Sequence, residues 1–323
     1  MAEDSKRDPK LVFVTLPMLD LSAESAFPGN VYLCLHHKMI RYRNKGDSLD
    51  LAAFNKLIYN HVRYVFIEDA DRAVFKAWVA TNEKSDATEL STAPPEAREI
   101  VEAVQTQRRA MMDIFESPKD DKAVKEAVEV SKKLVTEFLR KPFAVNNISA
   151  LQKHSKGAVD HSVNVSVLSV FLGLRMGYTH QIILENLALG GLFHDIGKLL
   201  VETKDDAMTN EDDPAMQQHP KLGMELLDKS REIANEVRMI VGQHHEFLDG
   251  SGYPSKLRGL AIYDLARLVA IANVYDNLIS SSQAPTLKEC QIEAVDKLES
   301  DFADRLDTKK LEKVVKILRY SFL

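Results

Sequence analysis

Leu187-Ala-Leu-Gly-Gly-Leu-Phe-His194-Asp195-Ile-Gly-Lys198 is the stretch that decides the fold. An uncharged apolar run ends in an imidazole and a carboxylate, which places two polar groups at the end of a buried segment. A buried carboxylate beside an imidazole is costly unless it is paired or bound to a cation. Neighbours on a helix diverge by about 100°, so His194 and Asp195 cannot share one apical position. The two oxygens of Asp195 can, however, bridge two ions while His194 ligates one. The doublet His244-His245 has the same geometry and suggests one imidazole per ion. His161 and His219 complete the constellation, and seven of the ten histidines fall between His154 and His245. Imidazole and carboxylate suit iron, manganese, zinc and similar ions, with no thiolate competing. The pattern points to a dinuclear site.

Outward from this core, residues 147–323 read as one all-α domain. Helical periodicity runs through 158–176, 180–200, 213–228, 230–246, 261–281, 287–304 and 308–320. Thr286 and Glu289 have the spacing of a capping box, and Leu311, Val314, Val315 and Leu318 make one apolar stripe. Upstream, 96–117 and 120–140 predict two amphipathic helices. These form a connecting hairpin, the seam of a homodimer, or a simple packing onto the next domain; all three are open. They belong with the polar stretch Thr81 to Pro95 in a connecting segment, 81–146.

Residues 1–80 predict a small α/β domain of the sensory or docking kind, without a Gly-rich phosphate loop. Its strands are expected at Leu11–Leu16, Val31–Leu35, Met39–Tyr42 and Val62–Ile67, with a turn at Asn44–Asp47. Asp50 should cap a helix carrying Leu51, Phe54, Leu57 and Ile58, and Asp71 to Val79 a second one. The chain is therefore multidomain.

The 323 residues are 45% hydrophobic and 28% charged, enough apolar content for a large core. Forty-two basic and 48 acidic residues leave a net charge of −6 with the cations scattered, which argues against a nucleic-acid partner. No apolar run approaches the roughly 20 residues needed to span a bilayer, so no membrane partner is expected. Cys34 and Cys290 cannot make a disulfide framework, and a cytoplasmic location is expected.

After the histidine doublet comes Glu246-Phe-Leu-Asp249-Gly250-Ser251-Gly252-Tyr253-Pro254, whose two glycines and proline suit a loop ordered over the site. With this segment, His194-Asp-Ile-Gly-Lys198, His219-Pro-Lys-Leu-Gly223, His161-Ser-Val-Asn-Val165, Leu265-Ala-Arg-Leu268 and Asn273-Val-Tyr-Asp276, the chain resembles the HD-GYP family of HD-domain phosphohydrolases. The order and spacing agree across about 170 residues. The resemblance implies a five-helix HD core. It also implies a metal-dependent phosphodiesterase hydrolysing a cyclic dinucleotide, cyclic di-GMP, to pGpG or GMP through a metal-bound hydroxide. The ligands it implies are His161, His194, Asp195 as bridge, His219, His244, His245 and Asn273. Lys198 would place an ammonium on a phosphate oxygen, Asp249 and Tyr253 would order the loop, and Arg267 would reach phosphate or pair with an acid. Two divalent ions are expected, iron first through the resemblance, with manganese, zinc, cobalt or nickel also suited.

Four positions depart from the family's pattern. Asn273 stands where an aspartate ligand is usual, with Asp276 one turn on to compensate or merely to pair. Gly157 stands where three-metal members have glutamate. Ser282-Gln283-Ala284 replaces Arg-Pro-Tyr, a dinucleotide grip. The stretch Glu202 to Asp213 is unusually acidic. The alternative function is thus a catalytically weak or inactive module that binds metal and a nucleotide or a signalling protein partner.

Overall fold

A computed structural model describes residues 11–17, 25–35, 38–50, 53, 57, 62, 64–79, 95–141, 157–201 and 213–321. The N-terminal strands are β1 (Phe13–Pro17), β2 (Val31–Leu35), β3 (Lys38–Arg43) and β4 (Tyr64–Glu68). They pair antiparallel throughout, in the order β1-β4-β2-β3. Period-two alternation gives β4 its inward side, Val65 and Ile67, while Tyr64 faces water. Helix α1 (residues 72–79) buries Phe75 among the same apolar groups. At the expected turn after β3, Asp47 N donates to Asn44 O at 3.0 Å and Gly46 takes φ 88°. Asp50 Oδ1 accepts from Ala53 N at 2.7 Å, the bond expected of a cap, and positions 53 and 57 are helical. Leu51, Phe54 and Ile58 lie outside the described residues, as do 81–94 and 202–212.

The rest is helical. Helices α2 (Arg98–Glu116) and α3 (Asp121–Arg140) form the expected pair, with Asp120 capping α3 by accepting from Lys122 N at 2.9 Å. Their apolar faces pack on each other, on α4 (Ala158–Arg175) and on α5 (Gln181–Phe193). Gln107 of α2 ties the layer together, its Nε2 donating to Ser131 Oγ at 3.0 Å and to Ser166 Oγ at 2.9 Å. Both α4 and α5 are buried over most of their lengths, as helices without a polar face must be. Around them run α6 (His219–Leu227), α7 (Asn235–Gln243), α8 (Asp264–Ser281), α9 (Leu287–Asp301) and α10 (Thr308–Ser321). The capping box forms at Thr286 and Glu289. No helix among the described residues is long and apolar enough to cross a membrane.

Two sequence expectations change in a way that matters. The helix expected over 180–200 stops at Phe193; His194 and Asp195 form a turn, and 196–200 wind as a 3-10 helix. The cause is tertiary: a Cβ on Gly197 would lie 1.9 Å from His219 O, so the start of α6 leans directly on this turn. The helix expected over 230–246 is confined to Asn235–Gln243, which leaves His244 and His245 just past its end. In both places the ligand-type residues sit where an α-helix ends, so side-chain direction is no longer dictated by a 100° step.

Candidate metal centre

Four elements aim imidazoles at one carboxylate. His161 comes from the first turn of α4, His194 and Asp195 from the end of α5, His219 from the start of α6, and His244 and His245 from the end of α7. All but His161 are buried. The ring orientations are fixed from behind. His194 Nδ1 donates to Gly191 O at 2.7 Å, His219 Nδ1 to Met216 O at 2.8 Å, and His244 Nδ1 to Val241 O at 2.7 Å. His161 Nδ1 lies 2.7 Å from Asp276 Oδ2. A main-chain carbonyl only accepts, so in the neutral rings Nδ1 carries the proton and Nε2 presents a lone pair.

Those lone pairs face one another. His161 Nε2 is 3.1 Å from His194 Nε2, and His219 Nε2 is 3.2 Å from His244 Nε2. His219 Nε2 and His244 Nε2 are also 3.2 and 3.7 Å from Asp195 Oδ1, which has no hydrogen-bond partner among the described residues. On its other side, Asp195 Oδ2 lies 3.4 Å from His194 Nε2 and 3.8 Å from His161 Nε2, and accepts from Lys198 Nζ at 2.7 Å. His245 Nε2 is buried without a hydrogen-bond partner among the described residues, its ring stacked on Tyr253 with centroids 4.5 Å apart.

So many electron-rich atoms converging without protons between them is unfavourable unless a cation lies among them. The donors fall into two groups that share Asp195: Asp195, His219, His244 and His245, and His161, His194 and Asp195, so the His244-His245 doublet enters one group instead of giving one imidazole to each ion as the sequence suggests. Within each group the ligand atoms lie within 4.8 Å of one another, so the residues present fit divalent cations.

Electrostatics agree with that fit at three of the imidazoles. Burial lowers His194 and His219 to about 4 and takes His245 well below its ordinary value, so all three are neutral and able to ligate near pH 7. For His161, burial pulls down, but the hydrogen bond and charge of Asp276 outweigh it and raise the ring. Burial pushes Asp195 up, yet His194 and the Lys198 ammonium hold it well below the usual carboxylate range. It is an anion at neutral pH.

The post-histidine loop is fastened by a residue that sequence reasoning passed over. Buried Glu246 accepts from Ser255 N at 2.7 Å through Oε1 and from Leu257 N at 2.8 Å through Oε2. Asp249 makes only a local turn, accepting from Ser251 N and Oγ at 2.8 and 2.7 Å. Tyr253 N donates to His245 O at 3.1 Å, and a Cβ on Gly252 would fall 2.3 Å from that same oxygen. Glycine is required there by close approach.

Arg267 is held by acids: its guanidinium donates to Asp307 Oδ2 at 2.5 Å and Asp264 Oδ1 at 2.8 Å, with no hydrogen bond or ion pair to the imidazole cluster. Asn273 is buried on α8 and its Oδ1 accepts from Asn277 Nδ2 at 3.1 Å. Ser282 is spent on structure, donating to Glu293 Oε2 at 2.6 Å and accepting from Ala284 N at 3.1 Å.

The HD domain family profile matches residues 145–309, just over half of the chain. A cyclic di-GMP phosphodiesterase of Pseudomonas aeruginosa is 28% identical over 179 residues, which cover 54% of this chain and 43% of that protein. A cyclic di-GMP phosphodiesterase response regulator of Xanthomonas campestris pv. campestris is 40% identical over 93 residues, 27% of this chain and 25% of that one. A 3'3'-cGAMP-specific phosphodiesterase of Vibrio cholerae is 37% identical over 90 residues, 26% of this chain and 17% of that one. The chain thus spans less than half the length of these curated relatives. Among solved structures, an HDG"Y"P protein from Bdellovibrio bacteriovorus covers 95% of this chain and 100% of its own, with a TM-score of 0.58 and 24% identity, a likeness of fold.

Proposed function

The chain belongs to the HD domain family, and on that premise we propose that it is a metal-dependent phosphodiesterase acting on a cyclic dinucleotide, with cyclic di-GMP the first substrate to test. The observation that carries this reading is the division of Asp195: one oxygen faces His219 and His244, the other His161, His194 and Lys198. A single carboxylate presented to two imidazole sets suits two divalent cations, with iron first and manganese, zinc, cobalt or nickel as substitutes. Cations held there would supply Lewis acidity, bringing the pKa of water down to about 7 and offsetting charge on phosphate oxygens.

The chain's own residues do the rest. The carbonyls behind His194, His219 and His244 lock each ring in one tautomer, so nothing reorganises when a phosphodiester arrives. Lys198, one turn past His194 and only 13% exposed, is close enough to present its ammonium to a phosphate oxygen beside Asp195. Tyr253, stacked on His245 and anchored through the Glu246 loop, walls the site where a base or ribose would lie. Arg267, occupied by Asp264 and Asp307, serves to join α8 to the start of α10.

The test is metal analysis of the purified chain, followed by incubation with cyclic di-GMP, 3'3'-cGAMP and a bis-aryl phosphate. Turnover of a dinucleotide is expected; turnover of the aryl ester alone would move the substrate class. Lys198→Ala should keep its metal content while KM rises about 10- to 100-fold, the value of a charge-assisted hydrogen bond. Loss of metal in that variant would refute the role given to Lys198.

A second reading is a metal-loaded module that binds a nucleotide or signalling protein without turning it over. It is favoured by Asn273, whose uncharged oxygen already serves Asn277, and by Ser282, committed to Glu293 and Ala284. Full metal loading with no turnover of any of the three esters would decide for it.

A further inference from the structure

The two donor groups are not equivalent. One offers three imidazoles with Asp195, the other only His161 and His194 with the same carboxylate. They differ again in what stands behind the rings. His194, His219 and His244 each rest Nδ1 on a neutral main-chain carbonyl, whereas His161 rests on a carboxylate, Asp276 Oδ2 at 2.7 Å.

That carboxylate is placed with care. Asp276 is 1% exposed, on α8, and reaches across to His161 on α4. Its second oxygen accepts from Asn164 Nδ2 at 3.0 Å, and Asn164, one turn beyond His161, is equally buried. Both oxygens are thereby engaged from one helix, which fixes the carboxyl plane against the ring. A buried anion is costly, and this one stands behind the donor group that has fewer imidazoles.

We propose that Asp276 is a positioning residue that sets cation occupancy at the His161–His194 position, by pinning the His161 tautomer and lending it negative charge. The His219–His244–His245 position does not depend on it. This rests on the dinuclear reading above and adds the source of the charge that Asn273, an amide one turn earlier on α8, does not provide. A carboxylate behind a ligating imidazole makes the ring a stronger donor, and removing such a group typically lowers metal affinity 10- to 100-fold.

The experiment titrates the metal-free 323-residue chain with Zn2+ against a chromophoric chelator, for wild type, Asp276→Asn and Asp276→Glu. Wild type is expected to take up two equivalents. Asp276→Asn, which keeps the shape and an acceptor oxygen but removes the charge, should retain one tight equivalent and bind the other 10- to 100-fold more weakly. Asp276→Glu should recover part of the loss. A residue that only packs would be served equally well by the isosteric amide, so two unchanged equivalents in Asp276→Asn would overturn the proposal. Equal weakening of both equivalents would overturn it too, since the effect would not be local to His161. Should wild type itself hold a single equivalent, the dinuclear reading falls and takes this inference with it. If Asp276→Asn does not fold, Asp276→Ser, which also removes the charge, carries the comparison, with a selective loss at one equivalent supporting the assignment and two unchanged equivalents refuting it.

Discussion

Asp195→Ala is expected to empty at least one of the two cation positions and to lower kcat/KM for a cyclic dinucleotide by about 10³-fold or more. No other residue belongs to both donor groups found among the described residues. Each Asp195 oxygen answers to a different pair of imidazoles, at 3.2 and 3.7 Å on one side and 3.4 and 3.8 Å on the other. Truncation therefore costs both positions an anion at once. The variant should still fold. His194 and His219, brought to about 4 by burial, stay neutral at pH 7 without the carboxylate. Lys198 would lose its partner, but its long stem lets the ammonium reach water. A second readout follows from linkage: a cation at 100 times its Kd stabilises the folded chain by about 2.7 kcal/mol. Adding metal should raise the wild-type Tm and move that of Asp195→Ala much less. Two metals still bound in the variant would show that the cations do not share this group.

Much of the site could be read in the sequence because its residues are of a type that burial makes expensive. His194 and Asp195 follow an apolar run, and the structure places both in the interior. The helices came from periodicity and the α9 start from the Thr286–Glu289 box. What periodicity cannot register is where the hydrogen-bond ladder stops. Ile196, Leu199 and Leu200 continue the apolar spacing of α5, yet the chain leaves the α-helix at His194 because α6 presses on Gly197, a contact from 22 residues away. Glu246 was hidden for a related reason. Its carboxylate is visible in the loop sequence, but only the folded loop reveals that Ser255 N and Leu257 N claim both its oxygens. Arg267 and Asp276 show the same asymmetry. Their charge could be read from the chain, whereas the partners that define their roles, Asp307 and His161, lie 40 and 115 residues distant.

Gly197→Ala should damage the site without touching a ligand. The added methyl would sit 1.9 Å from His219 O and 2.5 Å from Gly223 N, and both are backbone atoms that no rotamer change can move. Relief requires α6 to back away from the turn that carries Asp195. His219 rides on the first residue of α6, so any retreat opens the 3.2 Å separation between its Nε2 and Asp195 Oδ1. Overpacking of this severity costs about 3 kcal/mol or more, which in a chain of this size lowers Tm by about 4 °C or more. Metal content should fall with it. Gly177 is the matching control: its φ of 95° disfavours a side chain, but nothing lies within 4 Å of its Cβ position. Gly177→Ala should therefore cost only the local backbone strain, about 1–2 kcal/mol, and leave metal binding intact. A wild-type Tm and full metal loading in Gly197→Ala would mean that α6 does not rest on this turn, and the convergence of His219 on Asp195 would need another cause.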